Sequence, residues 1–453
     1  MRANPYLNRR PIRHPDEFYG RDEDVRWLLE RMTHPSDPQC CSITGLRRIG
    51  KSSLLKFLAH PEGALPRYRE EFPHNDRLLL IYADLSLDSV GEETEAGRET
   101  VAALTLGHML RALTRRARSI LPPDPNLVPS VRPGDWQEAL EALEDLLYSL
   151  KEGGFQVIFL LDELDVAETW PASLTHALRS LVMEHNVAYV TASLRPLFEL
   201  FEEGRASPLY NLFSTRPLGL LTPEQARALL VEPAQQAEVT WSAGIIEQLL
   251  DAVGGHPDLV KMTGDHLWTL MKGDGKEPRV EMVLEDLRAD ANALFTSIWG
   301  HLTPDERRGV AVLAAHRNPS EITDILPALQ QRAMITETHG GTRLFGSLFA
   351  DWVQQQPEAL EKSDAPHLDG RWLVINNQRQ QLTPTEARLA DILLSRRGQT
   401  VSREELQEAI WEQVDPDSKA LDTTVQRLRE KIEKDRANPQ WLITVRGEGY
   451  TFR

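Results

Sequence analysis

Short apolar runs alternate with amphipathic stretches from residue 40 onward. Strands are expected at Cys40–Thr44, Leu78–Asp84 (LLLIYAD), Phe155–Leu161 (FQVIFLL) and Val187–Ala192 (VAYVTA), with helices at Ser52–Leu58, Glu95–Arg118, Trp136–Lys151 and Ser173–Glu184. Apolar runs separated by helical patterns are the signature of an α/β unit with a parallel sheet. After Leu220 the strand signal stops, and 223–232, 244–252 and 259–272 space their apolar residues as amphipathic helices do, which predicts a helical subdomain. "LTPDERRGVAVLAA" then starts a helix, and the "HGG" between two later apolar segments marks a hairpin, so a small winged helix is expected. Residues 355–369 carry two prolines and no periodicity and read as a linker. The expected division is a core at 1–220, a helical subdomain at 221–296, a small winged helix at 297–354, the linker, and a C-terminal domain at 370–453.

Composition narrows the class. The 453 residues are 41% hydrophobic and 26% charged, as in soluble globular proteins. No apolar run approaches the roughly 20 residues of a membrane span, and the first residues carry no hydrophobic signal core. A cytoplasmic protein without membrane contact is expected. Cys40 and Cys41 sit side by side in an apolar run, which offers neither a disulfide framework nor a zinc site and points to buried packing. The net charge of -17 argues against indiscriminate coating of nucleic acid. Residues 370–453 nevertheless hold 14 Lys+Arg against 13 Asp+Glu, so the acidic excess lies in the first 369 residues. DNA contact would have to come from a few placed residues near the C-terminal end. No internal repeat of 20–50 residues is visible.

"TGLRRIGKSS" at 44–53 has the form G-x-x-x-x-G-K-S, with Gly45, Gly50, Lys51 and Ser52. A phosphate loop needs glycines so that backbone N–H groups converge on oxygens, a lysine for the terminal phosphates and a hydroxyl for magnesium. It follows the run "CCSIT" and opens the helix "SSLLKFLAH", whose N-terminal dipole faces an anion. "VIFLLDELD" at 157–165 puts Asp162 and Glu163 at the carboxyl end of a buried strand, where ligands of such sheets bind. Asp162 would hold Mg2+ through water together with Ser52, and Glu163 could orient or activate the attacking water; Asp165 reads as structural.

The pair resembles the AAA+ superfamily and, more closely, the STAND class of signalling ATPases. "FYGRDEDVRWLLERM" is similar to its entry motif, "GLRRIGKSSLL" to its phosphate loop, "VTASLRPL" to its sensor-1 strand, and "VGGHPDLVKMTGDHLW" to the G-x-P helix start of its lid. The resemblance spans about residues 5–355. It implies ATP or ADP held by Gly45, Arg48, Ile49, Gly50, Lys51, Ser52 and Ser53, the segment Phe18–Arg21 and Pro257 bordering the adenine, and Ser193 or Arg195 sensing the terminal phosphate. His256 and His339 read as polar surface or turn residues without chemistry. The arginine that AAA+ motors supply to a neighbouring subunit has no motif here; Arg205 and Arg216 are the candidates. Without it, hydrolysis should be slow.

In the helix 421–433, Leu421, Val425, Leu428 and Ile432 form an inward stripe and leave Thr423, Thr424, Gln426, Arg427 and Lys431 on other faces, where they could meet DNA. From "LTPTEARLADILLSRRGQTVSREELQEAIW" to "WLITVRGEGYTFR" the last 84 residues resemble the winged-helix DNA-binding domain of the OmpR/PhoB type. That resemblance implies a wing in which Thr444 touches phosphate and Arg446 enters a minor groove. Asp422 and Glu430 stand close to the reading face as negative charges.

The expected fold class is thus α/β, a P-loop NTPase with parallel sheet and helical lid, followed by α+β winged helices. The expected function is an ATP/ADP-switched DNA-binding transcription regulator. It would be a slow ATPase that self-associates in its ATP state, binds double-stranded DNA and takes its signal from a protein partner or on the lid. Two alternatives stay open: a DNA-remodelling or transposition-type AAA+ ATPase, and a signalling scaffold ATPase of a defence or stress pathway.

Overall fold

In the computed structural model, β1 (Cys40–Thr44), β2 (Leu78–Asp84), β3 (Gln156–Asp162), β4 (Ala188–Ser193) and β5 (Phe213–Pro217) form one parallel sheet in the order β2-β3-β4-β1-β5. The structure describes all residues except 1–2, 35–37, 74–76, 87–94, 121–135, 201–208, 275–276, 317–318, 339–340, 357–366, 370–371, 376–377, 397, 412–418, 434–438, 440, 446–447 and 453. The chain divides into two units, Met1–Gln354 and Gln355–Arg453.

The central strands β1 and β4 are buried along their whole length, as strands covered on both faces by helices must be. Cys40 and Cys41 are buried free thiols in β1. β5 carries no apolar run because it is the half-exposed edge strand, and its sequence FSTRP gave no strand signal. Around the sheet lie α1 (Asp22–Met32), α2 (Lys51–Ala59), α3 (Glu95–Ala117), α4 (Trp136–Glu152) and α5 (Ala172–His185). The lid region consists of α6 (Pro223–Gln236), α7 (Ala243–Val253), α8 (Pro257–Asp274) and α9 (Val280–Gly300). Then come α10 (Pro304–Ala314), α11 (Leu326–Gln331), the antiparallel hairpin of β6 (Ile335–Thr338) and β7 (Gly341–Leu344), and α12 (Ser347–Gln354). Helix α9 runs unbroken through the boundary expected at 296/297.

The second unit begins with an antiparallel sheet of β8 (His367–Asp369), β9 (Trp372–Ile375) and β10 (Gln378–Gln381). β8 falls inside the segment expected to be linker, because pairing with β9 orders residues that carry no strand pattern of their own. There follow α13 (Pro384–Ser395), β11 (Val401–Ser402), α14 (Arg403–Trp411), α15 (Ala420–Ile432), and a hairpin of β12 (Leu442–Val445) and β13 (Gly449–Phe452), with β11 paired to β13. The stripe Leu421, Val425, Leu428 and Ile432 is buried in the core of this unit, with Leu389, Leu406 and Phe452.

Three helices start by one device. "LTPEQ", "LTPDE" and "LTPTE" place Thr222, Thr303 and Thr383 at the N-caps, proline at the first helical position, and Gln225, Glu306 and Glu386 three residues after the threonine. Each threonine and its Gln or Glu cap one another's backbone N–H, and proline loses nothing where no N–H is needed. The leucines before them, Leu221, Leu302 and Leu382, are buried and pin the entering chain.

Candidate functional site

The loop after β1 turns through the left-handed region at Arg48 (φ 60°) and Gly50 (φ 106°) and delivers the chain to α2. A Cβ at Gly50 would meet nothing within 4 Å, so glycine is required there by its backbone angle and not by crowding. The Lys51 ammonium donates to the carbonyls of Gly45 (2.8 Å) and Leu46 (3.0 Å). Burial lowers its pKa to about 8, against the opposing pull of Glu163, Asp165 and Asp162. A desolvated cation held by loop carbonyls at a helix N-terminus fits a polyphosphate.

Asp162 closes β3 and is buried; its carboxylate accepts from the Tyr82 hydroxyl (2.8 Å) and from the Glu163 N–H (3.1 Å). Glu163 adopts a left-handed backbone (φ 56°), which costs a non-glycine residue energy and persists only where its surroundings hold it. Burial first and Asp162 second raise its pKa, while Lys51 pulls it down. The two oxygens of Asp162 thus have protein donors and keep lone pairs that a hydrated magnesium ion could use; Ser52 is the second residue of α2. Asp165 accepts from the Leu194 N–H (2.8 Å), tying the turn after β3 to the end of β4.

Other expected site residues are placed less directly. Arg21 is buried, with a left-handed backbone (φ 68°), and its guanidinium donates to the Ile49 carbonyl (3.0 Å), so it braces the phosphate loop from behind. Burial lowers its pKa to about 10. Phe18 stacks on Phe57 of α2 (4.3 Å between centroids), and the Ser53 hydroxyl accepts from the Ile12 N–H (3.4 Å), so both hold the entry segment against α2. The Ser193 hydroxyl donates to the Arg195 carbonyl (2.6 Å), and the Arg195 guanidinium pairs with Glu168 (2.5 Å). Pro257 is the first residue of α8. Arg216 pairs with Asp24 (2.6 Å) and lies over Trp27 within its own chain; Arg205 is outside the described residues.

His256 requires a correction. It is fully buried rather than a surface residue, because the Gly254-Gly255 turn that leads into it is wedged against the Phe345 and Leu221 backbone. Its Nε2–H donates to the Arg47 carbonyl of the phosphate loop (3.2 Å), its ring lies 6.0 Å from that of Phe345, and neighbouring Asp258 pairs with Arg48 (3.0 Å). A Cβ at Gly254 would fall 1.8 Å from the Phe345 carbonyl, and one at Gly255 would fall 2.1 Å from that of Leu221. The phosphate loop, the turn between α7 and α8, and the segment after the β6-β7 hairpin therefore meet at one point. Burial lowers the pKa of His256 from 6.5 to about 4; the Asp258 carboxylate opposes this and the Arg21 guanidinium reinforces it. The unfolded chain takes up the proton first, so stability is full above pH 6.5 and falls by about 3 kcal/mol as the pH drops towards 4. Denaturant melts across that range should show this slope, and His256→Asn should flatten it; equal slopes refute the assignment. His339 lies outside the described residues.

In the second unit, Thr423, Gln426 and Arg427 are exposed on α15. Two expected contacts are turned inward. Thr424 is buried, its hydroxyl donated to the Ala420 carbonyl (2.9 Å), and the Lys431 ammonium is held by the Gln381 carbonyl (2.9 Å) and Glu386 (2.6 Å). Thr424 thus bonds back to its own helix, and Lys431 reaches β10 and the first turn of α13 rather than outward. The Thr444 hydroxyl is exposed and accepts from Arg429 (2.7 Å), while Arg446 is outside the described residues. Asp422 is not a loose negative charge: Arg403 clamps both its oxygens (2.7 and 2.9 Å) and the Tyr450 hydroxyl donates to one (2.6 Å), which holds its pKa below the usual carboxylate range. That triad joins α14, α15 and the wing. Glu430 is exposed.

Phosphate loop, acidic strand end and five-stranded parallel sheet define a P-loop NTPase, here followed by a winged helix. Residues 7–278 match the family described as novel STAND NTPase 1, and the chain belongs to it. Residues 377–452 match the C-terminal domain family of transcriptional regulatory proteins. Among solved structures, a Walker-type ATPase of Pyrococcus abyssi superposes with a TM-score of 0.52 at 17% identity, over 77% of this chain and 99% of that one. The ORC2 protein of Aeropyrum pernix gives 0.51 at 14% identity, over 78% and 96%. Both likenesses concern the fold. Curated relatives match the C-terminal part: the regulatory protein AfsQ1 of Streptomyces coelicolor is 46% identical over 76 residues (17% of this chain, 34% of that one). A probable transcriptional regulator, ycf27, of Guillardia theta is 36% identical over 89 residues (19% and 35%). The chain spans about a third of the length of these relatives. No helix among the described residues is long and apolar enough to cross a membrane.

Proposed function

We propose that this chain is a transcription regulator whose hold on double-stranded DNA is set by whether its phosphate loop carries ATP or ADP. The observation that carries the reading is the junction of loop, lid and first winged helix. Loop residues Arg47, Arg48 and Ile49 are gripped by His256, Asp258 and Arg21, and the His256 turn abuts Phe345. A change in the loop's occupancy changes what those groups hold, which is the differential contact that any ligand-driven shift between two states requires.

In this reading Lys51, Gly50 and the α2 amide groups bind the polyphosphate, Ser52 and Asp162 hold magnesium through its waters, and Glu163 orients the water that attacks the terminal phosphate. Magnesium supplies charge neutralisation between the phosphates. Ser193 and Arg195 stand at the sensor end, with Arg195 exchanging Glu168 for phosphate. Arg216 is engaged by Asp24 within its own chain, which fits slow turnover and a persistent nucleotide state. The ADP form keeps lid and first winged helix closed on the loop. The ATP form releases them, permits self-association in the cytoplasm, and so presents several C-terminal winged helices to repeated half-sites. Thr423, Gln426 and Arg427 read the major groove there, Thr444 contacts phosphate, and Arg446 supplies a minor-groove contact. The inducing signal is a protein partner or a ligand of the lid.

The test measures occupancy of genomic DNA targets by the full chain when empty, with ADP, and with a nonhydrolysable ATP analogue. Tighter binding by at least tenfold with the ATP analogue is expected, and Arg427→Ala should remove specific binding in all three. Equal occupancy in the three states ends the switch reading. Turnover that rises severalfold with duplex DNA would instead indicate a motor.

A further inference from the structure

We propose that Tyr82 is a positioning residue for magnesium-dependent nucleotide binding, acting through Asp162; this rests on the nucleotide reading above. β2 and β3 run parallel in register, with Tyr82 opposite Leu160 and Asp84 opposite Asp162. Tyr82 and Asp162 therefore share a face of the sheet as diagonal neighbours, and the phenol is long enough to span the diagonal. Its hydroxyl donates to Asp162 Oδ2 at 2.8 Å, while the Glu163 N–H reaches Oδ1 at 3.1 Å.

Asp162 is only 3% exposed, and a buried carboxylate without fixed donors is costly and free to turn. The two donors fix its plane. A carboxylate has about four acceptor positions, so two stay open, and their direction is set by where the phenol and the amide sit. Those remaining lone pairs are what a hydrated magnesium ion must meet in a defined direction, since it tolerates little departure from octahedral geometry. The Tyr82 ring is held in turn by α2, where the Lys56 ammonium lies 5.4 Å from its centroid. The helix that begins with Lys51 and Ser52 thus also orients the group that aims Asp162.

Tyr82→Phe keeps the ring, its packing and the cation above it, and removes the hydroxyl alone. The full chain is titrated with ATP by calorimetry, once in excess magnesium and once in EDTA. Wild type is expected to bind ATP more tightly with magnesium. Tyr82→Phe should match wild type in EDTA and lose about three- to tenfold of affinity in magnesium, the scale of one hydrogen bond. In an Asp162→Asn background the Tyr82 substitution should add nothing further. The proposal is overturned by an equal loss in both buffers, by no loss in either, or by a wild-type affinity indifferent to magnesium. Failure of the wild-type chain to bind ATP at all removes the nucleotide reading and this proposal together, whereas normal binding with an unaffected Tyr82→Phe removes this proposal alone.

Discussion

Lys51→Ala is expected to weaken ATP binding by about 100-fold or more, because a charge-assisted hydrogen bond contributes about 1.5–3 kcal/mol and the ammonium makes at least two to a polyphosphate. In the structure that ammonium donates to the carbonyls of Gly45 and Leu46, and burial holds its pKa near 8 against the pull of Glu163, Asp165 and Asp162. A polyphosphate would bring full negative charge to the same ammonium. Alanine is the strongest helix former and sits at the first residue of α2, so the fold should be kept. Calorimetry measures the affinity directly. A melting temperature that rises with ATP in the wild type and not in the variant gives an independent reading. If the variant binds ATP as the wild type does, the site assignment is wrong.

Gly254→Ala should destabilise the first unit by about 3 kcal/mol or more, well beyond the usual range for a surface glycine. The residue ends α7 at φ 64°, ψ -157°, a region open essentially to glycine alone, and its Cβ would lie 1.8 Å from the Phe345 carbonyl. Neither side can yield without moving backbone, so the turn must withdraw and take His256 away from Arg47. Gly244, also in α7, is the control: a Cβ there meets nothing within 4 Å, and Gly244→Ala should be neutral or stabilising by about 0.5–1 kcal/mol. Urea melts of the two variants compare them. Equal stabilities would mean that the junction is slack and does not link lid to loop.

The features legible in the sequence are those encoded within a few residues. The phosphate loop, the four apolar strands and the inward stripe Leu421-Val425-Leu428-Ile432 each carry their own spacing. β5 was not legible because an edge strand needs no apolar run, and β8 because its order comes from pairing with β9. His256 could not be recognised because its partner, the Arg47 carbonyl, is 209 residues away. Its only local sign is the pair of glycines before it, both of which turn out to sit against backbone. Tyr82 was missed for a similar reason: in sequence it is one more apolar strand residue, and only the register with β3 brings it to Asp162. A helical projection shows that Lys431 leaves the apolar stripe, yet it does not show that β10 and the α13 cap stand where it points.

The inward turn of Lys431 has a consequence for ionic strength. Each phosphate neutralised by a lysine or arginine steepens the fall of log affinity with log salt by about 0.9. A cation committed to Glu386 inside its own unit displaces no counterion, and an Arg403 locked on Asp422 displaces none either. Binding of one such winged helix would therefore survive added salt better than its count of basic residues suggests, and would gain correspondingly little from electrostatic attraction. Tight association would have to be built by bringing several copies to neighbouring sites.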